Sequence, residues 1–330
     1  MWFGSSVLFY AEFNIRLFFR LFREKADLFL GNDLDVMPAT MLMARLKKKP
    51  LIYDSHEYFL GVEGMDQKPV RRNIWKIVET RVFSRSKYIY TVSESIRELY
   101  NNTYHKKLFV VRNLPLLYSR EPELTAEEMG WIKSIDLKIP ENKNLLIFQG
   151  AGINASRGAE ELVKSMLFLD AAHFHLLIIG GGDVFKKLER MIDQNQLSEK
   201  ITLVPKVPFA VLVNFTRKAR LGLSIDKPSV LNHKYSLPNK LFEYLHAGVP
   251  VLASRLVEQE RIINEYDVGG FIEDHRPEHI AQKIKEIFAD PERLNRWKMN
   301  TSRVRQELNW ENESKIIIDI FKQVEMDSVK

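Results

Sequence analysis

The chain has 330 residues, 45% of them hydrophobic and 28% charged, which is ordinary globular composition at a length sufficient for two domains. It contains no cysteine, which removes disulfides, thiolate catalysis and cysteine-based metal sites and accords with a reducing compartment, so the cytoplasm is the default expectation. The net charge of +6 is uneven: residues 1–118 hold 19 Lys/Arg against 12 Asp/Glu, leaving 30 against 31 of the totals of 49 and 43 for the remainder. So small a basic excess, with no RNA or DNA motif beside it, argues against a nucleic-acid protein.

In chain order, the apolar stretch Trp2 to Phe13 lacks a basic leader and is interrupted or followed by Glu12, Asn14 and Arg16. It is too short and too polar for a signal peptide or a membrane span. A helical pattern runs from Ala11 to Lys25. Short runs rich in branched and aromatic residues then predict strands at 27–31, 50–54, 88–92 and 108–111. Between them lie Arg45, Lys47, Lys48 and Lys49, and then a segment from Lys68 to Lys87 in which Arg71, Arg72, Lys76, Arg81 and Arg85 alternate with Ile74, Trp75, Ile77, Val78 and Val82. That segment reads either as a basic amphipathic helix on an anionic membrane, with about 1 kcal/mol per nearby cation, or as a solvated helix covering a sheet.

Residues 114–142 read as a connection. A second series of strands follows at 144–149, 174–180, 200–204, 221–225, 249–253 and 269–272. Strands alternating with helical patterns indicate βαβ units, hence an α/β protein with two parallel sheets of four and six strands. The expected domains are 1–118, a linker 119–142, a second domain 143–306, and a C-terminal helix 307–330 packing back toward the first domain. A doubly wound domain normally begins with its central strand, whereas the first series begins with a helix. The N-terminal domain is therefore expected to be incomplete, with an unpaired edge strand unless Trp2 to Phe13 covers it.

The most informative segment is SLPNKLFEYLHAGVPVLAS, residues 236–254. Ser236 suits an N-cap, Pro238 is tolerated in a first turn and Gly248 suits a C-cap, which predicts a helix of about 11 residues. The free amides of Leu237, Pro238's successor Asn239 and Lys240, with the helix dipole and the Lys240 charge, form an anion site suited to a diphosphate. Glu243 falls on the same face one turn on, where it can accept hydrogen bonds from ribose hydroxyls. Alternatively, Lys240 and Glu243 form an exposed i,i+3 pair of little consequence.

This segment resembles the nucleotide-binding signature of retaining GT-B glycosyltransferases, in particular glycosyltransferase family 4. The resemblance runs from about Asp27 to Asn309 and includes LFLGNDLDVMPATMLMARLKKKPLIYDSHE (28–57), TVSESI (91–96) and VVRNLP (110–115). It implies a GT-B architecture of two Rossmann-like domains, the N-terminal one incomplete, with Glu243 on the donor ribose and helix-start amides on the diphosphate. It further places His56 near the reacting sugar carbon, although a histidine after a strand can equally be a structural residue oriented by Asp54 or Glu57. Asn32, Asp33, Asp54 and Glu57 are acceptor-side candidates.

The loop QGAGINASRGAEELV (149–163), with Gly150, Gly152 and Arg157, resembles the family's diphosphate loop, Arg157 standing for its usual lysine. Two departures stand out: Ala151 replaces a basic residue, and Tyr235 replaces the first glutamate of a paired motif. Gly180 to Gly182, with Gly181 at the centre, lack dinucleotide spacing and read as a donor-side turn or simply a tight turn. No metal motif occurs. The expectation is a metal-independent enzyme without a cofactor, in which His56, Arg157 and Lys240 serve catalysis and Gly150, Gly152, Arg157, Gly181, Ser236 to Lys240 and Glu243 bind a nucleotide-sugar donor. The acceptor would be a glycan or lipid-linked molecule, and the setting cell-surface polysaccharide or glycoconjugate synthesis in the cytoplasm, with the basic N-terminal half at the inner face of the membrane. A non-catalytic sugar-nucleotide-binding remnant and a GT-B sugar-nucleotide epimerase are the alternatives.

Overall fold

The structure is a computed structural model that describes residues 7–117 and 124–328. The chain divides into two compact units: residues 1–113, 229–236 and 312–330 form the first, and 114–228 with 237–311 the second. The boundary expected at 118/119 and residues 2–6 of the apolar N-terminal stretch lie outside the described residues.

The first unit contains α1 (Val7–Arg23), β1 (Phe29–Asn32), α2 (Met37–Leu46), β2 (Leu51–Ser55), α3 (Pro69–Arg85), β3 (Tyr88–Thr91), α4 (Glu94–Tyr104) and β4 (Phe109–Val110). Its four strands are parallel in the order β1-β2-β3-β4. Tyr53 and Ile89 on the sheet pack with Met37, Trp75, Phe83, Ile96 and Tyr100 of the covering helices. Phe18 and Leu21 of α1 lie against Phe29, Met43 and Ala44, and the Asn14 side chain donates to Asp35 O and accepts from Ala39 N, tying α1 to the start of α2. The opposite stripe of α1, Leu8, Ile15, Phe19 and Phe22, is exposed, as is Leu30 on β1.

The 68–87 segment does not keep its apolar residues on one side. Trp75 and Val82 are buried, whereas Ile74 and Ile77 face outward, and the position that completes the buried stripe is the carboxylate Glu79. Tyr100 and Tyr104 donate to Glu79 from α4. Residues 312–328 belong to this unit as well, where Glu313 accepts a two-pronged bond from the Arg112 guanidinium (2.8 and 2.9 Å) and another from the Arg112 amide.

The second unit contains α5 (Ala126–Asp136), β5 (Asn144–Gly150), α6 (Ala159–Ser165), β6 (Phe174–Gly180), α7 (Phe185–Gln194), β7 (Ile201–Pro205), α8 (Phe209–Lys218) and β8 (Leu221–Ser224). The short α9 (Leu231–Lys234) returns to the first unit. Then come α10 (Asn239–His246), β9 (Val251–Ser254), α11 (Val257–Tyr266), β10 (Gly269–Ile272), α12 (Pro277–Phe288), α13 (Pro291–Glu307) and α14 (Trp310–Ser328), which runs on into the first unit. The segment expected as a linker thus holds a helix. Thr125 and Glu128 cap it reciprocally, and Ile135 enters the core.

The six-stranded parallel sheet has the order β10-β9-β8-β5-β6-β7, so the chain winds outward in both directions from β5 and β8. Both faces are covered: Leu146, Phe148, Leu176 and Ile178 enter one core, while Leu145, Ile147, Leu177 and Ile179 enter the other. That is why these strands read as unbroken apolar runs.

Burial raises the Glu79 carboxyl to about 7, against the opposing hydrogen bonds of Tyr104 and Tyr100. Below its ordinary value of 4.5 it is protonated whether the chain is folded or not; its unfavourable contribution develops as pH rises from 4.5 to about 7 and is complete above that. The shift corresponds to about 3 kcal/mol. Glu79→Gln is therefore expected to be more stable than wild type at pH 8 in urea unfolding, with the difference vanishing toward pH 4.5. A variant less stable at pH 8 would show that the tyrosine bonds outweigh burial.

Candidate functional site

In an open α/β sheet a ligand crevice forms beyond the carboxyl ends of the strands where the winding reverses, here β5 and β8. The chain after β5 turns through Gly150 and Gly152 into a loop that ends at Gly158, the start of α6. Gly158 has φ +81°, and a Cβ there would lie 2.4 Å from Ile225 O, just past β8. Only glycine lets the loop approach so closely. A Cβ on Gly180 (φ +154°) would lie 2.0 Å from Gly150 O, and the Ile153 amide donates to Gly181 O at 2.6 Å. A Cβ on Gly182 would lie 2.3 Å from Ile153 O, so Gly180 and Gly182 serve the close approach of two backbones.

Arg157 emerges from this loop toward Asp226, which is 1% exposed. Its Nη1 donates to Asp226 Oδ1 at 3.2 Å, and Lys240 Nζ reaches the same carboxylate at 3.0 and 3.2 Å. Burial alone would raise the Asp226 carboxyl, but the adjacent Lys240 and Arg157 charges hold it below its ordinary value. Burial pushes the Lys240 ammonium down, and Asp226 partly restores it. Lys240 also lies over the Phe148 ring, 4.4 Å from its centroid. The predicted phosphate cation is thus a buried, neutralised side chain, while Arg157 keeps about a third of its side-chain surface (32%) in solvent.

The helix carrying Lys240 begins later than the sequence suggests. Pro238 is its N-cap, with φ −72° and ψ 136°, because a residue before proline is driven out of the helical region and Leu237 cannot continue the helix backward. Ser236 donates instead to His233 O at 2.9 Å and belongs to the first unit. The amides of Asn239 and Lys240 remain the first-turn donors without intrahelical acceptors. At the other end Gly248 adopts φ +79°, the left-handed conformation that ends helices.

Glu243 does not pair with Lys240. Its Oε2 accepts from Gln149 Nε2 at 2.6 Å, and the neighbouring Tyr244 hydroxyl accepts from the Gln149 amide at 3.0 Å. Burial raises the Glu243 carboxyl, opposed by Gln149 and Lys240. Asp226 and Gln149 were not singled out from the sequence. Gln149 ends the apolar run of β5, and Asp226 lies just past β8, and that position is the one signal available.

In the first unit, His56 follows β2 with Nε2 2.9 Å from Asp54 Oδ2 and 40% of its side chain exposed. The hydrogen bond to Asp54 raises its pKa above the ordinary 6.5. Asp33, at φ +64° after Asn32, donates its amide to Asp54 O, and burial raises its carboxyl against the pull of His56. Glu57 instead accepts from Asn232 at 2.8 Å. Asn32, Asp33, Asp54 and His56 therefore share one edge of the sheet, while Glu57 anchors the 229–236 segment. Among the described residues no group of three His, Cys, Asp or Glu side chains is arranged to hold a metal ion.

A family model for glycosyl transferases group 1 matches residues 131–304, just over half of the chain. The chain belongs to that family. Its fold is that of GT-B glycosyltransferases: it superposes on sucrose-phosphate synthase from Thermosynechococcus elongatus with TM-score 0.77 at 16% identity, over 99% of this chain and 81% of the other. Anabaena Alr3699/HepE in complex with UDP gives 0.71 at 10%, over 95% and 82%, and WaaG, a glycosyltransferase involved in lipopolysaccharide biosynthesis, gives 0.66 at 14%, over 98% and 84%. A search of curated proteins by sequence returns no match. The family's activity, glycosyl transfer, makes this chain a transferase.

Two outcomes follow from the ion pairs. Asp226→Ala leaves Lys240 buried without its partner and should destabilise the protein by about 3–5 kcal/mol, whereas Asp226→Ala with Lys240→Met should recover most of that loss in chemical unfolding; equal losses in both would place the cost in packing. An NMR titration of His56 should give a pKa above 6.5 that falls in Asp54→Asn; an unchanged value would break the link between the two.

Proposed function

We propose that the second unit binds a nucleoside-diphosphate sugar, whose glycosyl group passes to a glycan or lipid-linked acceptor held by the first unit. The observation that carries this reading is Glu243. Among the described residues one of its carboxylate oxygens is held by Gln149 and the other has no partner, and it stands one turn from the open amides of α10. A half-satisfied carboxylate beside an anion site suits a ribose next to a diphosphate. The UDP complex of Alr3699/HepE supports the donor class. Arg157 and the α10 amides would meet charge developing on the departing diphosphate, the usual largest contribution to such catalysis, with Lys240 acting through Asp226. The carboxylate-backed His56 is the proposed acceptor-side catalytic residue.

The finer reading is a retaining, metal-independent transfer in cell-surface polysaccharide or glycoconjugate synthesis. It would take place in the cytoplasm, with the basic first unit peripheral to the inner membrane face. WaaG, involved in lipopolysaccharide biosynthesis, supports the pathway class. No helix among the described residues is long and apolar enough to cross a membrane. A second reading, binding without turnover, is favoured by the neutralisation of Lys240 and by Ala151 in the loop.

Calorimetry with UDP, GDP and ADP and their sugars should reveal one preferred base, and Glu243→Ala should bind it roughly 10- to 100-fold more weakly, as expected for hydrogen bonds to a charged group. Equal binding by the variant sinks the ribose assignment. Product formation that persists in EDTA is expected for the transferase; tight binding with no transfer supports the second reading.

A further inference from the structure

The hydrogen bonds behind Glu243 form a directional chain. Gln149 is 1% exposed and both heteroatoms of its side-chain amide are engaged: Nε2 donates to Glu243 Oε2 at 2.6 Å, and Oε1 accepts from Thr216 Oγ1 on α8 at 2.8 Å. Thr216 is itself 2% exposed, and its hydroxyl has a competing acceptor in Leu212 O, also at 2.8 Å. One hydroxyl proton cannot fully serve both. The choice is settled by charge: an ionised Glu243 accepts only, so it turns the NH₂ of Gln149 toward itself and Oε1 toward Thr216, and the Thr216 proton must then go to Oε1. Leu212 O loses nothing, because helix α8 already supplies it with a donor. In the reverse orientation Gln149 would aim a carbonyl at a carboxylate in a buried setting, where that repulsion is costly.

We infer that Gln149 and Thr216 are positioning residues for the donor site: they hold one oxygen of Glu243 so that the other points at the ribose, and thereby set the discrimination between a ribonucleotide and its deoxygenated counterpart. The inference rests on the reading of Glu243 as the ribose ligand. The same residue anchors the helix behind it, since the Gln149 amide binds the Tyr244 hydroxyl, which also donates to Leu223 O at 3.3 Å. That backbone contact survives any substitution of the Gln149 side chain, so the side-chain variant separates orientation of Glu243 from placement of α10.

The test measures binding of the preferred nucleoside diphosphate and of its 2′,3′-dideoxy form. Wild type should favour the ribonucleotide by about tenfold or more. Gln149→Met, close in volume and unable to donate, should lose most of that preference by weakening the ribonucleotide alone. Thr216→Val, which strands Oε1 and frees the amide to rotate, should lose part of it, and Thr216→Ser should retain it. With the sugar donor these losses should fall on KM rather than kcat. The acid limb of ribonucleotide binding should move to higher pH in Gln149→Met, since the Gln149 bond opposes, with Lys240, the rise caused by burial. Preference retained in Gln149→Met, or equal weakening of both nucleotides there, overturns the inference while leaving Glu243 as ribose ligand. No preference in wild type overturns the ribose reading, and the inference with it.

Discussion

A carboxylate that is 1% exposed can stay ionised only if cations come to it, and Asp226 sits where the six-stranded sheet reverses its winding. Two arrive, from opposite sides in the sequence: Arg157 from the loop after β5 and Lys240 from the first turn of α10. The loop and the helix are thereby pinned to the end of β8, and the spacing between them is held by a buried electrostatic requirement as well as by packing. Breaking such a cluster is far more costly than never having built it. The three side chains together carry one net positive charge, and the part of it that reaches solvent is on Arg157.

Much of the architecture is legible in the chain because parallel strands covered on both faces are apolar at most positions. FHLLIIG at 174–180 is buried throughout and can hardly be read otherwise. The shorter β4, two residues with half-buried side chains, is legible mainly from its place in the alternation. Failures occur where a local rule meets a stronger one. Ser236 has the right chemistry for a cap, but the conformational demand of Pro238 on its predecessor decides the helix start. In α3 the charged residue Glu79 occupies a buried position that periodicity assigns to an apolar one, and only the tyrosines of another helix explain it. The helix α5 was hidden because Gly130 interrupts its middle and, of its apolar residues, only Ile135 is buried while Met129 and Trp131 are exposed.

The site is legible in outline and opaque in its wiring. The family pattern identifies Glu243, Lys240 and Arg157 as belonging together, and they do lie at one end of one sheet. What it does not convey is that Lys240 spends its charge on Asp226 or that Glu243 is held by Gln149. These partners are distant in sequence and ordinary in type. Their meaning comes from the polar side chains that the fold brings to them.

Residues 229–236 interrupt the second unit between β8 and α10 yet belong to the first, where Asn232 holds Glu57 and Tyr58. Residues 312–330 likewise belong to the first unit, where Glu313 holds Arg112. The backbone therefore passes between the units at four places: 113/114, 228/229, 236/237 and 311/312. No single cut yields two self-sufficient halves. A fragment ending at 113 leaves Arg112 without its carboxylate and Glu57 without its amide partner, while one spanning 114–311 carries an eight-residue excursion with nothing of its own to fold upon. The hierarchy of the molecule is thus spatial and not sequential: synthesis delivers all of the second unit before the last piece of the first.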